Sequence, residues 1–394
     1  MVLTSKQEEG LKIAVERYKN HEKYTVISGY AGTGKSTLVR FIIAALNVSE
    51  NRVCYATFTG KAAEVLRQMG NKNAQTLHHL LYEHIPRPGG GFLRKRKPRI
   101  EYDIVVVDEV SMVPKEIMEL LFSHTVYVIC LGDPFQIPPI DKESDNHLLD
   151  TPHIFLDEIM RQEEGNEIIQ LSMGIRQMKA IPEHLGTNVR VYNKKDFIPD
   201  MLTWADQVLV ATNNKRIELN NKIRQMKGFP SEPQPGDKVV CLRNYWDDIS
   251  SEGNPLVNGL IGYLGEPDNI EIKFPWNART SIKSIPALVS DVFIEGDEYY
   301  SDLYIDKSML LWGERSLDWK DSYKLNLRKQ IWGDLVPKEF GFGYAITGHK
   351  AQGSQWNKVL VIEEKFPFDK IEHARWLYTC VTRAIDKVVL IKAE

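Results

Sequence analysis

Eight consecutive residues, Gly29–Ser36, read GYAGTGKS and fit the pattern G-x-x-x-x-G-K-[ST]. They follow the β-rich run Tyr24–Ser28 and lead into the helical apolar pattern Lys35–Leu46, the strand–loop–helix context that this pattern requires. Glycines let the backbone curl so that successive N–H groups point at phosphate oxygens, and the start of the helix adds positive potential. We therefore predict that this segment binds ATP, with Lys35 at the β- and γ-phosphates and Ser36 on Mg²⁺. The predicted nucleotide-binding residues are Gly29, Ala31, Gly32, Thr33, Gly34, Lys35, Ser36 and Thr37.

Two carboxylates end a later apolar strand. Asp108 and Glu109 follow the run Ile104–Val107, at the edge of the sheet where ligands of α/β proteins bind. Phosphoryl transfer needs one carboxylate for the metal and one for the attacking water, so we assign Asp108 to Mg²⁺ and Glu109 to water activation. The next strand ends in Leu131–Pro139 (LGDPFQIPP), in which the amide of Gln136 can bond both a phosphate and that water and so sense the nucleotide state.

The first half of the chain alternates between strand and helix. Strands are predicted at Arg52–Phe58 and Val126–Leu131, and a helix is predicted at Lys61–Met69. Continuous apolar strands are typical of a parallel sheet that is buried on both faces. The predicted fold class is therefore α/β, with a doubly wound first domain. A second α/β region is predicted from about Thr151, with strands at Gln207–Ala211, Lys358–Ile362 and Lys387–Ile391 and a helix at Asn214–Met226.

Two segments interrupt this alternation. Tyr82–Ile100 contains PRPGGG followed by FLRKRKPR, which predicts a basic β-hairpin with its tip at Gly89–Gly91. After Pro230–Gly236 the chain shows short strands and many turns until about Pro337, as in a small barrel inserted into a larger domain. The predicted domains are residues 1–150, with the hairpin insert at 82–100, then 151–229 together with 337–394, and the inserted barrel at 230–336.

The composition is that of a globular protein. The chain has 394 residues, of which 43% are hydrophobic and 26% are charged, so two or three domains are expected. No apolar run approaches the ~20 residues that cross a bilayer, and the start, MVLTSKQEEG, lacks the layout of a signal peptide. We expect no membrane association and a cytoplasmic location, in a bacterial host if the chain is phage encoded. The cysteines are scattered, which favours neither a zinc site nor a disulfide framework; they are Cys54, Cys130, Cys241 and Cys380.

The net charge of −3 does not exclude a nucleic-acid partner, because local basic patches can bind phosphates while the remaining surface stays acidic. Taken in order along the chain, the motifs resemble those of superfamily 1 helicases, and within them the subfamily B group that contains RecD and Dda. The resemblance covers nearly the whole chain. It implies two RecA-like P-loop domains, a β-hairpin pin at Tyr82–Ile100, and a small SH3-like barrel carried by Gly236–Gly262 (GDKVVCLRNYW, then NPLVNGLIG).

The resemblance adds further residues at the nucleotide. They are Gln7 in Thr4–Gln7 (TSKQ) for the adenine edge, Arg161 in Leu156–Gln162 (LDEIMRQ) for the γ-phosphate, Gly353 in Tyr344–Trp356 (YAITGHKAQGSQW), and Arg383 in Trp376–Ala384 (WLYTCVTRA) as an arginine finger. With these arginines, the implied catalytic set is Lys35, Asp108, Glu109, Gln136, Arg161 and Arg383.

The resemblance also implies contacts to a nucleic-acid strand. The implied residues are Phe58, Thr59 and Lys61 in Thr57–Ala63 (TFTGKAA), Thr76 and His78 in Gln75–Leu81 (QTLHHLL), Phe92 beside the hairpin tip, Thr212 in Val210–Arg224, and Thr347, His349 and Lys350 in Tyr344–Trp356. At Phe58 the chain departs from RecD-like proteins, which usually have proline there. A phenylalanine ring can still stack on a base or a sugar.

The resemblance therefore implies an ATP-dependent motor that acts on single-stranded DNA and on single-strand–duplex junctions. It implies 5′→3′ movement, which nothing in the composition shows, and we expect a monomer. Three alternatives stay open: an RNA-directed helicase, since phosphate contacts do not distinguish the sugars, a non-unwinding ATPase switch, and a helicase–nuclease subunit, for which no separate nuclease domain is recognised. The sequence does not identify a single-strand-binding, replication or recombination partner.

Overall fold

The computed structural model describes residues 3–86, 92–138, 145–160, 165–275, 282–294, 298–316, 336–365 and 369–393. The chain divides into two compact units. Unit one contains residues 1–82, 96–211 and 351–394, and unit two contains residues 83–95 and 212–350. Within the described ranges, no helix has the length and apolar character needed to span a membrane.

The strands are numbered in chain order. They are β1 Tyr24–Gly29, β2 Val53–Thr57, β3 Ala74–Thr76, β4 Tyr82–Pro86, β5 Phe92–Arg96, β6 Ile104–Val107, β7 Tyr127–Gly132, β8 Ile154–Leu156, β9 His184–Leu185, β10 Val189–Asn193, β11 Gln207–Val210, β12 Lys238–Cys241, β13 Tyr245–Ile249, β14 Pro255–Leu256, β15 Ile261–Leu264, β16 Asp268–Pro275, β17 Ile282–Phe293, β18 Tyr299–Asp306, β19 Phe340–Phe342, β20 Ala345–Thr347, β21 Trp356–Ile362 and β22 Ala384–Lys392.

The helices are numbered in the same way. They are α1 Ser5–Lys19, α2 Lys35–Leu46, α3 Gly60–Gln68, α4 Leu77–Leu81, α5 Lys115–Phe122, α6 Glu167–Arg176, α7 Met201–Trp204, α8 Asn213–Met226, α9 Lys307–Trp312 and α10 Lys370–Val381. Short 3₁₀ turns are present at Glu50–Arg52, Val110–Met112 and Lys194–Asp196.

Unit one contains a fully parallel sheet with the strand order β3-β2-β6-β7-β1-β8. All residues of β6 and β7 are buried, as expected for strands that are covered on both faces. Because the strands are parallel, the carboxyl ends of β1, β6 and β7 meet at one edge of the sheet. That edge is where the glycine loop, the Asp108–Glu109 pair and Gln136 follow their strands.

A second sheet of unit one confirms the expected return of α/β character. Strands β11, β21, β22 and β10 are parallel neighbours in that order, and β9 pairs antiparallel with β10. Helix α10 connects β21 to the parallel strand β22, as such crossovers require, and packs against α6. Its last turns are buried, and the buried residues include Trp376, Tyr378 and Thr379, so this helix carries polar groups into the interior.

Unit two is built mainly on an antiparallel sheet with the order β16-β17-β15-β12-β19, and β18 pairs with β17. Its core includes Val239, Leu288, Tyr300 and Phe340. The strands β16, β17 and β18 contain 8, 12 and 8 residues, so the prediction of short strands was wrong here. Their side chains alternate between buried and exposed positions, and that pattern lacks the long apolar run that is easily recognised.

Three segments differ from, or extend, the sequence interpretation. Ile154–Leu156 pairs with β1 in the first sheet, so this segment does not begin the second α/β region as predicted; three residues are too few to carry a periodicity signal. Helix α1 was not predicted as a helix. Strands β4 and β5 pair with each other and form the predicted hairpin arms, whereas the predicted tip at Gly89–Gly91 lies outside the described residues.

Candidate functional site

The glycine loop between β1 and α2 forms an anion-binding nest. Gly32 and Gly34 both have φ of +76°, a left-handed conformation that disfavours other residues. A Cβ atom on Gly34 would lie 2.3 Å from Met160 Sδ and 2.5 Å from Gln7 Nε2. Within the described part of the chain, the N–H groups of Gly32, Gly34, Lys35 and Ser36 donate no hydrogen bond. These donors and the positive end of α2 fit the phosphates of a nucleotide.

Lys35 lies in the same nest. Its Nζ donates to Gly29 O at 2.7 Å and to Tyr30 O at 2.9 Å. A phosphate oxygen is a stronger, charged acceptor for this ammonium. Ser36 is exposed at the first turn of α2, and Thr37 beside it is half-buried, so the Ser36 hydroxyl is accessible to a metal ion bound with the phosphates.

Gln7 lies next to the loop and is buried. Its Nε2 donates to Thr33 O at 3.1 Å, and its Oε1 accepts from Thr4 N–H at 3.0 Å. The Thr4 hydroxyl in turn accepts from Gln7 N–H, which completes a capping box at the start of α1. Gln7 therefore positions α1 against the loop that would hold the phosphates. To read an adenine edge, its amide must exchange at least one of these bonds.

Asp108 and Glu109 lie at the carboxyl end of β6. Desolvation, together with the negative charge of Glu109, raises the pKa of Asp108 to about 6. Asp108 Oδ1 accepts from Glu109 N–H at 2.9 Å. Glu109 has φ of +52° and ψ of +47°, a left-handed conformation that costs a non-glycine residue about 1–2 kcal/mol. Strain of this kind concentrates at functional sites.

Gln136 contacts the same carboxylate. Its Nε2 lies 3.4 Å from Glu109 Oε1, and the residue is buried. Its Oε1 is buried and has no hydrogen-bond partner within the described structure. A buried amide oxygen without a partner is costly, so this atom is suited to accept a hydrogen bond from a water molecule beside Glu109.

Arg383 reaches this edge from the second sheet. The residue follows α10 and is 3% exposed, and its Nη1 lies 3.5 Å from Glu109 Oε1. Its Nε donates to Thr379 O at 3.1 Å and its Nη2 to Thr382 Oγ1 at 3.3 Å, so the side chain is held along its own helix. The structure thus brings together Glu109, Gln136 and Arg383, three of the residues in the catalytic set that the sequence analysis gave.

Helix α10 makes three further hydrogen bonds with loops of the first sheet. Ala31 N–H donates to the Tyr378 hydroxyl at 2.9 Å, and this hydroxyl donates to Asp133 Oδ2 at 2.5 Å. One residue later, Thr379 Oγ1 accepts from Ile137 N–H at 2.9 Å. Sequence reasoning assigned no role to Tyr378, Thr379 or Asp133, although all three lie within motifs that it singled out.

Several predicted strand-contacting residues in unit one are engaged in local structure. The hydroxyls of Thr59 and Thr76 cap helices α3 and α4 by accepting from Ala62 N–H and His79 N–H. His78 is buried, and its ring centroid lies 5.5 Å from that of Phe58. A Cβ atom on Gly353 would lie 3.2 Å from Thr59 Oγ1, so this glycine permits close approach to the start of α3.

Among the predicted strand-contacting residues of unit two, Thr212 and Lys350 form hydrogen bonds within that unit. Thr212 caps α8 by accepting from Lys215 N–H, and Thr347 is buried. Lys350 Nζ donates to Asn258 Oδ1 at 2.5 Å. Burial lowers the pKa of Lys350 to about 8. Burial, and next the adjacent Lys350 charge, lower the pKa of His349.

Three predicted site residues fall outside what the structure describes. Arg161 lies in the undescribed range 161–164, and the side chains of Lys61 and Phe92 are likewise outside the described part. Their roles stay predictions.

The arrangement can be compared with known proteins. Residues 3–201 match the family model described as an AAA domain, and residues 342–391 match that of the UvrD-like helicase C-terminal domain. The ATP-dependent RecD2 DNA helicase of Deinococcus radiodurans is 26% identical over 93% of this chain, which spans 46% of that protein. The ATP-dependent DNA helicase dda of Enterobacteria phage T4 is 24% identical, with 97% of both chains covered.

Two solved helicase structures are similar to this chain, each with a TM-score below 0.5. A Pif1 helicase from Bacteroides in complex with ADP-AlF3 and ssDNA is 17% identical, with a TM-score of 0.49, and covers 100% of this chain and 95% of its own. The Pif1 helicase from Candida albicans has a TM-score of 0.47 at 17% identity, with the same shares covered.

Proposed function

The chain carries an AAA domain and belongs to the RecD/Dda group of superfamily 1 helicases, and from this premise we propose that it hydrolyses ATP to move along single-stranded DNA and to unwind duplexes. The observation that carries the proposal is the meeting of Glu109, Gln136 and Arg383 beside the glycine loop. A P-loop alone supports only nucleotide binding. An arginine from the second sheet at the catalytic carboxylate supports coupling of hydrolysis to movement between the sheets.

In this proposal, ATP lies between the first and second sheets of unit one, with its phosphates in the nest of Gly32–Ser36. Mg²⁺ fits beside the accessible Ser36 hydroxyl and the Asp108 carboxylate, and when bound it would neutralise charge on the phosphate oxygens. Glu109 accepts a proton from the attacking water, while the unpaired Gln136 Oε1 helps to orient that water. Arg161, at the γ-phosphate, is a further proposed ligand, and Gln7 would read the adenine edge and Gly353 approach the nucleotide.

Arg383 supplies the link to movement. When the γ-phosphate is present, the Arg383 guanidinium exchanges Glu109 for a more highly charged acceptor, which frees Glu109 to act on the water. An arginine finger of this kind contributes ~10³–10⁵ in rate in related phosphoryl-transfer enzymes. Loss of the γ-phosphate removes the charge that attracts Arg383, so the sheets can separate after hydrolysis.

The strand contacts follow from this cycle. We propose that a nucleic-acid strand is contacted by two sets of residues, which are Phe58, Thr59, Lys61, Thr76 and His78 in unit one and Thr212, Thr347, His349 and Lys350 in unit two. The buried positions of His78 and Thr347 require that local rearrangement exposes them when a strand binds. Alternation between these two sets of contacts would convert each ATP cycle into a step, and we propose that the step is in the 5′→3′ direction and that the protein acts as a monomer.

The paired strands β4 and β5 support a proposed pin, with Phe92 stacking on the last base pair and the following basic residues near phosphates. Stacking of a base on an aromatic ring is worth ~1–3 kcal/mol. We further propose the domain limits 1–150, with the pin at 82–100, 151–229 with 337–394, and 230–336 as an SH3-like insert. The segment Ile154–Leu156 is an exception, because it completes the first sheet.

Steady-state ATPase measurements test the proposal. Phosphate release is measured without nucleic acid, with oligo(dT) and with oligo(rU) of equal length. We expect oligo(dT) to stimulate ATPase at least about tenfold, a difference of ~1.4 kcal/mol in the barrier, and oligo(rU) to stimulate it less. Equal rates in all three arms would reject a DNA-driven motor, and stronger stimulation by oligo(rU) would identify an RNA-directed one.

A further inference from the structure

Three aromatic side chains form a row on the outer face of the unit-two sheet. Tyr263 of β15 lies directly opposite Phe293 of β17, and Phe293 lies directly opposite Tyr299 of β18. Their exposed fractions are 38%, 45% and 41%. The ring centroids of Phe293 and Tyr299 are 6.0 Å apart, within the range of an aromatic pair. The row therefore presents three exposed aromatic side chains on neighbouring strands, two of which form a ring pair.

The local structure keeps this surface open. The sequence neighbours Leu264, Val292 and Tyr300 point into the core, so alternation along each strand directs the row outward. A Cβ atom on Gly265 would lie 3.1 Å from Phe293 Cε2, so a larger residue there would crowd the ring. Large aromatic side chains exposed together on a sheet are a liability unless they bind something.

The charge around the row identifies what it can bind. The segments 260–271 and 290–306, which carry all three rings, contain nine carboxylates and no lysine, arginine or histidine. On the neighbouring strand β12, Lys238 lies opposite Tyr263 and is buried. In the chain as a whole, 50 basic residues nearly balance 53 acidic ones. Glu266, Asp268 and Asp302 in these segments are exposed. Such a field repels phosphates and attracts cations, so it disfavours the row as a base-stacking platform.

A bulge fixes one carboxylate next to the row. The register between β17 and β18 shifts between Ser290 and Val292, and Asp302 takes a left-handed φ of +50°. The Asp302 N–H donates to Asp291 Oδ1 at 2.9 Å. A Cβ atom on Gly265 would meet both Asp291 Cβ, at 3.3 Å, and the Phe293 ring, so Asp291 and Phe293 flank the same glycine. A carboxylate and an aromatic face are thus presented side by side.

We propose that the Tyr263–Phe293–Tyr299 row is a docking surface for an arginine-containing basic segment of a partner protein. The planar guanidinium of arginine stacks on aromatic faces and pairs with carboxylates through its edge, which a lysine ammonium does less well. The row supplies the faces, and Asp291, Glu266 and Asp302 supply carboxylates at its border. This docking site is independent of the nucleotide site and does not depend on the proposed motor activity.

Fluorescence anisotropy of a labelled arginine–glycine peptide, titrated with the full chain, tests the proposal. The variant Phe293→Ser with Tyr299→Ser removes two rings and leaves the net charge unchanged. We expect its dissociation constant for the peptide to rise at least about fivefold. Ile385→Ser, at an exposed strand position of unit one, is the matched control and should bind as the wild type does. A lysine–glycine peptide of equal charge should bind the wild type more weakly.

A second variant tests the proposal even if the first variant fails to fold. Glu266→Lys with Asp268→Lys changes only exposed residues, keeps the rings, and should also weaken peptide binding, with melting curves recorded for every variant. Peptide binding that does not change when both rings are removed overturns the proposal, because such binding depends on charge alone. Two further results also overturn the proposal. If the variant that lacks two rings no longer binds oligo(dT), the row is a nucleic-acid platform. If the wild type self-associates and this variant does not, the row binds a second copy of the chain.

Discussion

Tyr378 donates a 2.5 Å hydrogen bond to Oδ2 of Asp133, and its hydroxyl at the same time accepts the N–H of Ala31 in the glycine loop. The hydroxyl is buried, and so is Asp133. One atom of α10 thus joins the phosphate-binding loop to the loop that carries Gln136. Because Arg383 follows the same helix, a displacement of Arg383 with α10 must also break or strain these two bonds.

Removal of this hydroxyl should therefore slow turnover more than it weakens nucleotide binding. A hydrogen bond to a charged group is worth about 1.5–3 kcal/mol, so we expect Tyr378→Phe to lower kcat by about tenfold or more. Asp133→Asn should have a similar effect, and the two changes together should cost little more than either alone. Tyr127→Phe is the control, since that buried hydroxyl bonds Thr25 and Ala14. Additive losses in this cycle would show that Tyr378 and Asp133 act separately.

The assignments of Lys35 and Glu109 make separable predictions. Lys35→Ala should abolish DNA-stimulated ATPase and weaken ATP binding, because the ammonium in the phosphate nest is lost. Glu109→Gln should reduce ATPase by about 10²–10⁴-fold, the usual contribution of a general base, while ATP binding persists. Glu116→Gln, an exposed position of α5, serves as the control. A Glu109→Gln variant that hydrolyses ATP at the normal rate would show that another group activates the water.

Arg383 should act on the rate rather than on affinity alone. We expect Arg383→Ala to lower kcat by about 10³-fold, and Arg383→Lys to restore little of this, because lysine lacks the planar fork. Arg375→Lys, on the same helix, controls for a change of basic residue on α10. Melting temperatures must accompany the rates, since Arg383 is buried. A fall in stability with kcat preserved would assign Arg383 a structural role only.

The affinity for single-stranded DNA should depend on pH through Lys350. Burial lowers its pKa to about 8, so its ammonium is present below that pH and is lost as the pH rises through it. Since the charged form binds phosphate, we expect wild-type affinity for oligo(dT) to fall by up to about tenfold between about pH 7 and 9, at constant salt. Lys350→Arg should flatten this profile, and Lys350→Met should bind weakly throughout. An identical slope in wild type and Lys350→Arg would exclude Lys350 as the titrating contact.

The proposed pin predicts a loss of unwinding without a loss of ATPase. Phe92→Ala should keep DNA-stimulated hydrolysis and lose strand separation, because the stacking partner of the last base pair is gone. Ile85→Ala, an exposed apolar position on β4, is the matched control on the same hairpin. Unchanged unwinding by Phe92→Ala would show that Phe92 does not act as the pin.

Local patterns were sufficient for the parts of the fold and site that depend on neighbouring residues. The helix Lys35–Leu46 and the strand Ile104–Val107 were predicted with their observed limits, because continuous apolar strands and a helical period are visible within a few residues. The glycine loop lies between a strand and a helix as predicted, although β1 extends one residue further, to Gly29. The capping box of Thr4 and Gln7 is also a local pattern. Because these residues also match a nucleotide motif, the sequence prediction did not include helix α1.

The rest of the site depends on contacts between distant segments. The Tyr378 hydroxyl meets Ala31 and Asp133 only because two sheets pack in one unit, and no spacing along the chain encodes that distance. The threonines Thr59, Thr76 and Thr212 each precede a helix, which is the signature of an N-cap. The motif resemblance implies strand binding for the same three residues and does not reveal their capping role. The aromatic row of unit two depends on strand register, which alternation within a single strand does not reveal.

Unwinding of tailed duplexes tests whether ATP hydrolysis drives directed movement on DNA. Two substrates share one duplex and differ only in whether the single-stranded tail is on the 5′ or the 3′ side, and each is incubated with and without ATP, with Glu109→Gln as the inactive reference. We expect ATP-dependent strand separation of the 5′-tailed substrate and little of the 3′-tailed one. Strand separation that is independent of ATP, or absent from both substrates while ATPase is stimulated, would show that hydrolysis does not drive unwinding.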